Sequence, residues 1–130
     1  MAQIDTNDNH IIYKELSYKI IGLAIEVHKI LGYGFLEKVY ENSLMKLFDR
    51  ERITAFQQVA VPVYFEGEIV GDFYADILVE NQIILELKAV NTINDAHRAQ
   101  VINYLKATKL KLGILINFGK CRLEQERFVL

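Results

Sequence analysis

The sequence has a single cysteine, Cys121, a single proline, Pro62, and no long uninterrupted apolar run. One cysteine excludes an internal disulfide and a zinc site built on several thiolates, which fits a reducing cytoplasm. No segment approaches the roughly 18 consecutive apolar residues of a membrane helix, and the first ten residues lack the apolar core of a signal peptide. We therefore expect an unexported, cytoplasmic protein without membrane contact.

An excess of basic charge is also missing, since the 130 residues carry a formal net charge of −2. This argues against a protein that only coats nucleic acid, because such binding depends mainly on Lys and Arg. The charge is nevertheless uneven. Residues 1–87 hold 7 basic and 14 acidic side chains, whereas residues 88–130 hold 8 basic and 3 acidic ones. The C-terminal third could present a basic face, although ordinary solvated surface charges explain it equally well.

The N-terminal half is dominated by helical periodicity. Apolar residues recur every three or four positions over 13–31 and again over 35–52, which predicts two amphipathic helices separated by a glycine-containing turn. Residues 1–12 are polar and are expected to be disordered or flexible. Residues 13–130 have the length and apolar content of a single domain with one core.

The pattern then changes to the alternation and β-branched content of strands. Residues 57–80 predict a β-hairpin whose first strand contains Pro62 and is therefore an edge strand or irregular. A third strand over 83–89 precedes a helix that Asn94 caps. Two further strands are predicted, over 112–118 and 121–129. The order α-α-β-β-β-α-β-β predicts an α/β fold with a mixed sheet flanked by helices.

Three charged residues interrupt the apolar strands between residues 74 and 90, where an unpaired buried charge would be costly. A three-residue loop, Glu80 to Gln82, pairs Asp76 with Glu86, and Lys88 projects from the same face. This register is expected because it brings the alternate apolar residues of both strands to one core-facing side: Phe73, Ala75, Ile77 and Val79 with Ile83, Leu85, Leu87 and Ala89.

The predicted pairing suggests a metal site. Asp76 and Glu86 would lie about 4.5–5.5 Å apart at Cβ, and two such carboxylates repel each other unless a cation lies between them. Oxygen ligands suit Mg²⁺ or Mn²⁺. Lys88 could orient a metal-bound water or stabilise charge on a phosphate. A salt-bridge cluster of the same three residues on an exposed sheet face is the alternative.

An Asp followed across a hairpin by Glu-x-Lys resembles the PD-(D/E)XK nuclease superfamily, whose restriction-endonuclease-like core has this order of elements. Within it, the chain is similar to the GxxExxY family through Gly34, Glu37 and Tyr40 in "GFLEKVY", and through "GDFYADILVENQIILELKAV" and "HRAQVINYLKAT". The similarity extends over about residues 19–127. The Pro-Asp of the superfamily's name is absent, since Ala75 takes the place of the proline.

The resemblance implies roles for individual residues. Asp76 and Glu86, with the backbone carbonyl of Leu87, match the metal ligands, and Lys88 matches the catalytic lysine. Glu37 is similar to an additional acid on the first helix that lies beside the metal in several members of the superfamily. A capping or surface position is the alternative for Glu37, because negative charge is favoured in the first turn of a helix.

Gln100 and Tyr104 resemble the Gln-x-x-x-Tyr pattern of RecB-type nucleases and, four residues apart, share one helix face. Gln100 is counted with the catalytic residues because it could steady the lysine, a metal-bound water or a phosphate. Tyr104 and Tyr40 are expected to support the site indirectly, with core packing as the alternative for both. His28 and His97 could bind phosphate or act as acids, but a surface or capping role is equally expected.

The resemblance thus implies a nuclease that hydrolyses phosphodiester bonds in DNA or RNA with Mg²⁺ or Mn²⁺. The alternative is a regulatory module with the same fold that binds nucleic acid or a protein partner without turnover. A structural domain that forms a homodimer through the polar sheet face is a third option. Four basic side chains are candidates for contacts with nucleic acid: Arg98, Lys106, Lys109 and Lys111.

Overall fold

A computed structural model describes residues 13–130 of the chain together with the backbone of Gln3 and Ile4. The elements in chain order are β1 (Gln3–Ile4), α1 (Lys14–Leu31), α2 (Glu37–Arg50), β2 (Ala55–Phe65), β3 (Glu68–Val79), β4 (Ile83–Lys88), α3 (Asp95–Thr108), β5 (Leu112–Asn117) and β6 (Glu124–Val129). No helix among these residues is long and apolar enough to cross a membrane.

The six strands form one mixed sheet in the order β1-β6-β5-β4-β3-β2. β4 and β5 are parallel, because α3 connects them as a crossover helix, and the other neighbours are antiparallel. The predicted α/β class and the order of the elements from residue 13 onward are confirmed. Pro62 lies in β2 at the edge of the sheet, as predicted. Most of the segment 1–12, predicted to be flexible, lies outside the described residues.

Local sequence accounts for the start of α3. The Asn94 side chain accepts a hydrogen bond from the His97 backbone N–H at 3.1 Å, and His97 Nδ1 accepts one from the Asn94 N–H at 3.2 Å. This reciprocal cap satisfies two of the amide groups that a helix start leaves unpaired. The capping role predicted for Asn94 is therefore present, and His97 takes part in the same cap.

Helices cover both faces of the sheet. α1 and α2 pack on one face around a core that includes Ile20, Leu44, Phe48 and residues of β3, β4 and β5. α3 packs on the opposite face around a smaller core that includes Val101. Both faces of β4 are consequently apolar up to Leu85, which is the pattern expected for a central strand buried on two sides. The charged end of β4 is the exception.

β3 does not keep one core-facing side along its length. Ile77 and Val79 belong to the core under α1 and α2, whereas Ala75 belongs to the core under α3. The Phe73 ring likewise lies near Tyr104 of α3, with ring centroids 6.2 Å apart. The expectation that these four residues of β3 share one side is therefore wrong.

The change of side occurs at Asp76, opposite an irregular position of β2. Pairing between β2 and β3 includes Gln57↔Ile77 and Val59↔Ala75, but Gln58 and Asp76 do not pair. Gln58 has a φ of +50°, in the left-handed region that side chains other than glycine rarely adopt. The kink interrupts the two-residue alternation of the strands and turns Asp76 towards β4.

Candidate active site

Asp76 and Glu86 meet where β3 and β4 separate. Backbone pairing between these strands runs only from Val79↔Ile83 to Ile77↔Leu85, in the register that the three-residue loop predicts. Beyond it, Glu86 Oε1 accepts a hydrogen bond from the backbone N–H of Asp76 at 3.0 Å, and Asp76 Oδ2 accepts one from the N–H of Leu87 at 2.8 Å. The two carboxylates thus take the place of backbone carbonyls and hold the diverging strands together.

Burial disfavours the ionised form of both acids. Glu86 is only 2% exposed, and burial, followed by the charge of Asp76, raises its pKa to about 8. The pKa of Asp76 is also raised, first by burial, although the hydrogen bond from the Leu87 N–H opposes the shift. At neutral pH Glu86 is therefore mainly protonated unless a cation is added.

Lys88 is held by α3 on one side of this pair. Its Nζ donates to Gln100 Oε1 at 3.0 Å, and Gln100 Nε2 donates to the Tyr104 hydroxyl at 3.0 Å. Because lysine can only donate, the tyrosine fixes the amide orientation in which oxygen faces the ammonium group. The Gln-x-x-x-Tyr spacing therefore positions the lysine, with Tyr104 acting through Gln100.

Glu37 lies on the other side, as the first residue of α2, and its side chain is exposed. Partial burial of its carboxyl group raises its pKa, the charge of Lys88 opposes this, and the charges of Asp76 and Glu41 reinforce it. The carboxyl group is therefore within electrostatic range of the predicted site.

Glu41 is a buried acid of the site that was not predicted. It is 4% exposed and accepts hydrogen bonds from Lys38 Nζ at 3.0 Å, Gln57 Nε2 at 2.7 Å and Gln58 Nε2 at 3.0 Å. Its charge raises the pKa of Asp76, whereas a hydrogen bond from the Gln58 side chain lowers it. The spacing of four residues between Glu37 and Glu41 is the sequence signal that could have identified it, because such residues share a helix face.

Tyr40 contacts the loop that precedes α2 and packs in the core. Its hydroxyl donates to the Gly32 carbonyl at 2.7 Å and accepts from the Phe35 N–H at 3.2 Å, and its ring stacks on Phe118 with centroids 4.5 Å apart. These contacts stabilise the loop between α1 and α2, and none involves the carboxylates. His28 Nε2 forms a hydrogen bond with the carbonyl of Lys120 at 2.8 Å.

The guessed nucleic-acid contacts are dispersed. Arg98 forms ion pairs with Glu126 at 2.9 Å and Asp95 at 2.8 Å. Lys109 and Lys111 precede the start of β5, which pairs with the start of β4. Five residues of strand, roughly 16 Å, separate that end of β4 from Lys88. These two lysines therefore lie at the opposite end of the sheet from the acids. Lys106 is an exposed residue of α3 and lies six residues after Gln100.

The carboxylate oxygens of Asp76 and Glu86 suit a hard divalent cation, although they are only two side-chain ligands. Among residues 13–130, no group of three or more His, Cys, Asp or Glu side chains is arranged to hold a metal ion. Asp76 and Glu86 nevertheless supply oxygen donors whose ionised forms are disfavoured by burial. A cation between them would offset this penalty, and carboxylate oxygens are the ligands of Mg²⁺ and Mn²⁺.

Comparison with known proteins identifies related folds. A family model described as the PD-(D/E)XK nuclease superfamily matches residues 14–128. Among solved structures, the crystal structure of SSO0001 matches with 21% sequence identity and a TM-score of 0.53, covering 87% of this chain and 58% of that chain. At this identity the likeness concerns the fold, and the chain spans little more than half the length of that structure. No curated protein matches.

Proposed function

Because the chain belongs to the PD-(D/E)XK nuclease superfamily, we propose that it hydrolyses phosphodiester bonds of nucleic acid with Mg²⁺ or Mn²⁺. The observation that carries the proposal is the pair of reciprocal hydrogen bonds between the Asp76 and Glu86 carboxylates and the opposite strands, with Lys88 beside them. The finer assignment to the GxxExxY family rests on the motif around Glu37 and is part of the proposal.

In the proposed site, Asp76, Glu86 and the Leu87 carbonyl hold the cation, with Glu37 as an additional acid. A divalent cation supplies two things when bound: it polarises the phosphate and lowers the pKa of a bound water. The chain itself must hold both acids close together, which the reciprocal backbone hydrogen bonds accomplish, and the bound cation would favour the ionised form of both acids.

Lys88 supplies positive charge where negative charge develops on the phosphate during attack. A preoriented donor is effective because it needs no rearrangement at the moment of reaction. The hydrogen bond to Gln100, itself oriented by Tyr104, restricts the ammonium group in this way. In this proposal Lys88 is a catalytic residue, and Gln100 and Tyr104 are positioning residues.

The direct test compares Mn²⁺-dependent cleavage of mixed single- and double-stranded DNA and RNA by the wild type, Asp76→Asn and Lys88→Ala. We expect cleavage by the wild type that stops in EDTA, and a loss of about 100-fold or more in both variants. Asp72→Asn is the matched control, because Asp72 is an exposed acid on the same strand. It should cleave like the wild type.

The same experiment distinguishes the alternative, a regulatory module without turnover. Binding of nucleic acid with no cleavage by the wild type in Mg²⁺ or Mn²⁺ would favour that module. Equal cleavage by the wild type and all variants would reveal a contaminating nuclease and would remove the support for hydrolysis by this chain.

A further inference from the structure

A pocket of about 450 Å³ lies between Phe73 of β3 and the N-terminal half of α3. Gln100 and Tyr104, which position Lys88, also line this pocket, so it opens directly beside the proposed catalytic lysine. Its volume is within the range of about 300–1,000 Å³ that is common for small-ligand sites. The cleavage chemistry proposed above makes no use of the pocket.

The walls of the pocket suit a planar ligand. The Phe73 ring forms one wall, is 47% exposed and is tilted by 47° against the Tyr104 ring. Ala96 and Ala99 of α3 line the pocket with side chains that end at Cβ and therefore leave room beside the phenyl ring. An exposed phenyl face next to small side chains is a suitable surface for stacking a flat ring system.

Polar groups line the pocket as well. The Asn103 side chain is exposed and has no hydrogen-bond partner among residues 13–130, so its amide is free to donate and to accept. His97 Nδ1 accepts the Asn94 N–H, which in the neutral ring places the proton on Nε2 as a free donor. Burial, followed by the charges of Lys88 and Arg98, lowers the pKa of His97 and favours this neutral form.

The charges nearby do not suit a duplex. Arg98 lies next to the pocket-lining residues of α3, but its guanidinium is engaged by Glu126 and Asp95. Duplex binding depends strongly on many phosphate contacts, and the bases of a duplex are stacked on each other and cannot enter a side pocket. Single strands are instead bound by stacking of individual bases on aromatic side chains.

We infer that this pocket binds one unpaired nucleobase of a single-stranded nucleic acid, with the base stacked on Phe73 and its edge facing Asn103. The adjoining phosphate then lies at Lys88. The inference rests on the proposed nuclease function and narrows its substrate class to single strands or unpaired ends. DNA and RNA both carry the planar base that the pocket would bind, so the test includes both.

The test measures binding in EDTA, where cleavage is off, by fluorescence anisotropy with short labelled single strands of DNA and RNA and the corresponding DNA duplex. We expect at least one single strand to bind more tightly than the duplex, and Phe73→Ala to weaken that binding about tenfold. Phe73→Trp should restore it. Phe65→Ala is the matched control, because Phe65 is an exposed phenylalanine of the same hairpin outside the pocket.

A single abasic position in the bound strand provides a readout that a merely structural role of Phe73 would not change. The abasic strand should bind the wild type more weakly than the intact strand, and this difference should disappear in Phe73→Ala. Unchanged binding by Phe73→Ala, equal losses in Phe65→Ala, or equal affinity for single strand and duplex would each overturn the inference. Absence of Mn²⁺-dependent cleavage alongside Phe73-dependent binding would instead contradict hydrolysis and leave the pocket assignment standing.

Discussion

Asp76 and Glu86 are each bonded to the backbone of the other's strand: Glu86 Oε1 accepts the Asp76 N–H, and Asp76 Oδ2 accepts the N–H of Leu87. The acids therefore cannot move apart without losing these two hydrogen bonds between the ends of β3 and β4. Their proximity is built into the sheet, whereas an ordinary pair of exposed acids would rotate away from each other to reduce repulsion.

The first prediction concerns pH and stability. Burial and the charge of Asp76 raise the pKa of Glu86 from its usual 4.5 to about 8. Between pH 4.5 and about 8 the folded protein binds more protons than the unfolded chain. The stability that comes from the raised pKa of Glu86 is therefore fully present below about pH 4.5 and is lost as the pH rises towards about 8. We expect the free energy of unfolding, measured in urea, to fall over this interval by at most a few kcal/mol.

Glu86→Gln should flatten this decline, because glutamine keeps the acceptor for the Asp76 N–H but does not titrate. Glu68→Gln, an exposed substitution on β3, controls for the loss of one negative charge. Excess Mg²⁺ or Mn²⁺ should reduce the decline in the wild type by stabilising the ionised pair. Identical pH profiles for the wild type and Glu86→Gln would contradict the assignment of the decline to Glu86.

The second prediction concerns the residues that position Lys88. Gln100→Leu removes the acceptor for the lysine Nζ and should lower kcat by about 10- to 100-fold, the usual range for a partner that orients a functional group. Tyr104→Phe should have a smaller effect in the same direction, because the amide remains but loses its fixed orientation.

Steady-state cleavage kinetics at saturating metal would separate kcat from KM for these variants. Gln100→Glu retains an acceptor for Lys88 and should recover part of the lost kcat. A change confined to KM, with no recovery in Gln100→Glu, would show that Gln100 acts in substrate binding alone.

The third prediction concerns the kink in β2. Gln58 adopts φ +50°, its side-chain amide donates to Glu41 at 3.0 Å, and it lowers the pKa of Asp76 against the larger effect of burial. Gln58→Gly keeps this backbone conformation without strain, whereas Gln58→Ala does not, so we expect the alanine variant to be about 1 kcal/mol less stable than the glycine variant.

Both variants lose the amide and should show the same reduction in cleavage. Urea unfolding and cleavage assays on the same preparations would test the two effects separately. The glycine variant could instead cleave as fast as the wild type, with only the less stable alanine variant impaired. This result would show that the Gln58 side chain is not needed to position Asp76.

The fourth prediction concerns the connection that follows β4. A Cβ at Gly119 would clash with the backbone of Val90, two residues beyond Lys88. Gly119→Ala should therefore cost about 1–3 kcal/mol of stability, measured by urea unfolding, and should also reduce cleavage. Gly22→Ala is the matched control, since a Cβ there meets nothing within 4 Å, and it should stabilise α1 by about 0.5–1 kcal/mol. Equal stability of both variants would show that the Val90 segment yields without cost.

Much of the fold was predictable because its signals are local. The two helical periods, the Glu80–Gln82 loop and the Asn94 cap depend on residues close together in the sequence. The register of β3 and β4 was predictable for the same reason, because a three-residue loop and a two-residue period determine which side chains face each other.

The candidate site was predictable only in part. The sequence placed Asp76, Glu86, Lys88 and Gln100 near each other, and the structure brings them together. It did not identify Glu41, whose burial depends on amide groups of β2 sixteen and seventeen residues away. It also left Arg98 as a free cation, because its partner Glu126 follows 28 residues later.

The sequence by itself determined the secondary structure, the register of the central hairpin and the acids that this register brings together, since short-range periodicity and loop length are sufficient for these. Only the tertiary structure decided that the core-facing side of β3 changes at Asp76, that the Asp76 carboxylate replaces a backbone carbonyl, and that Phe73 faces α3. These features depend on a kink in the neighbouring strand and on the packing of a helix from the other half of the chain, and such long-range contacts leave no periodic signal along the sequence.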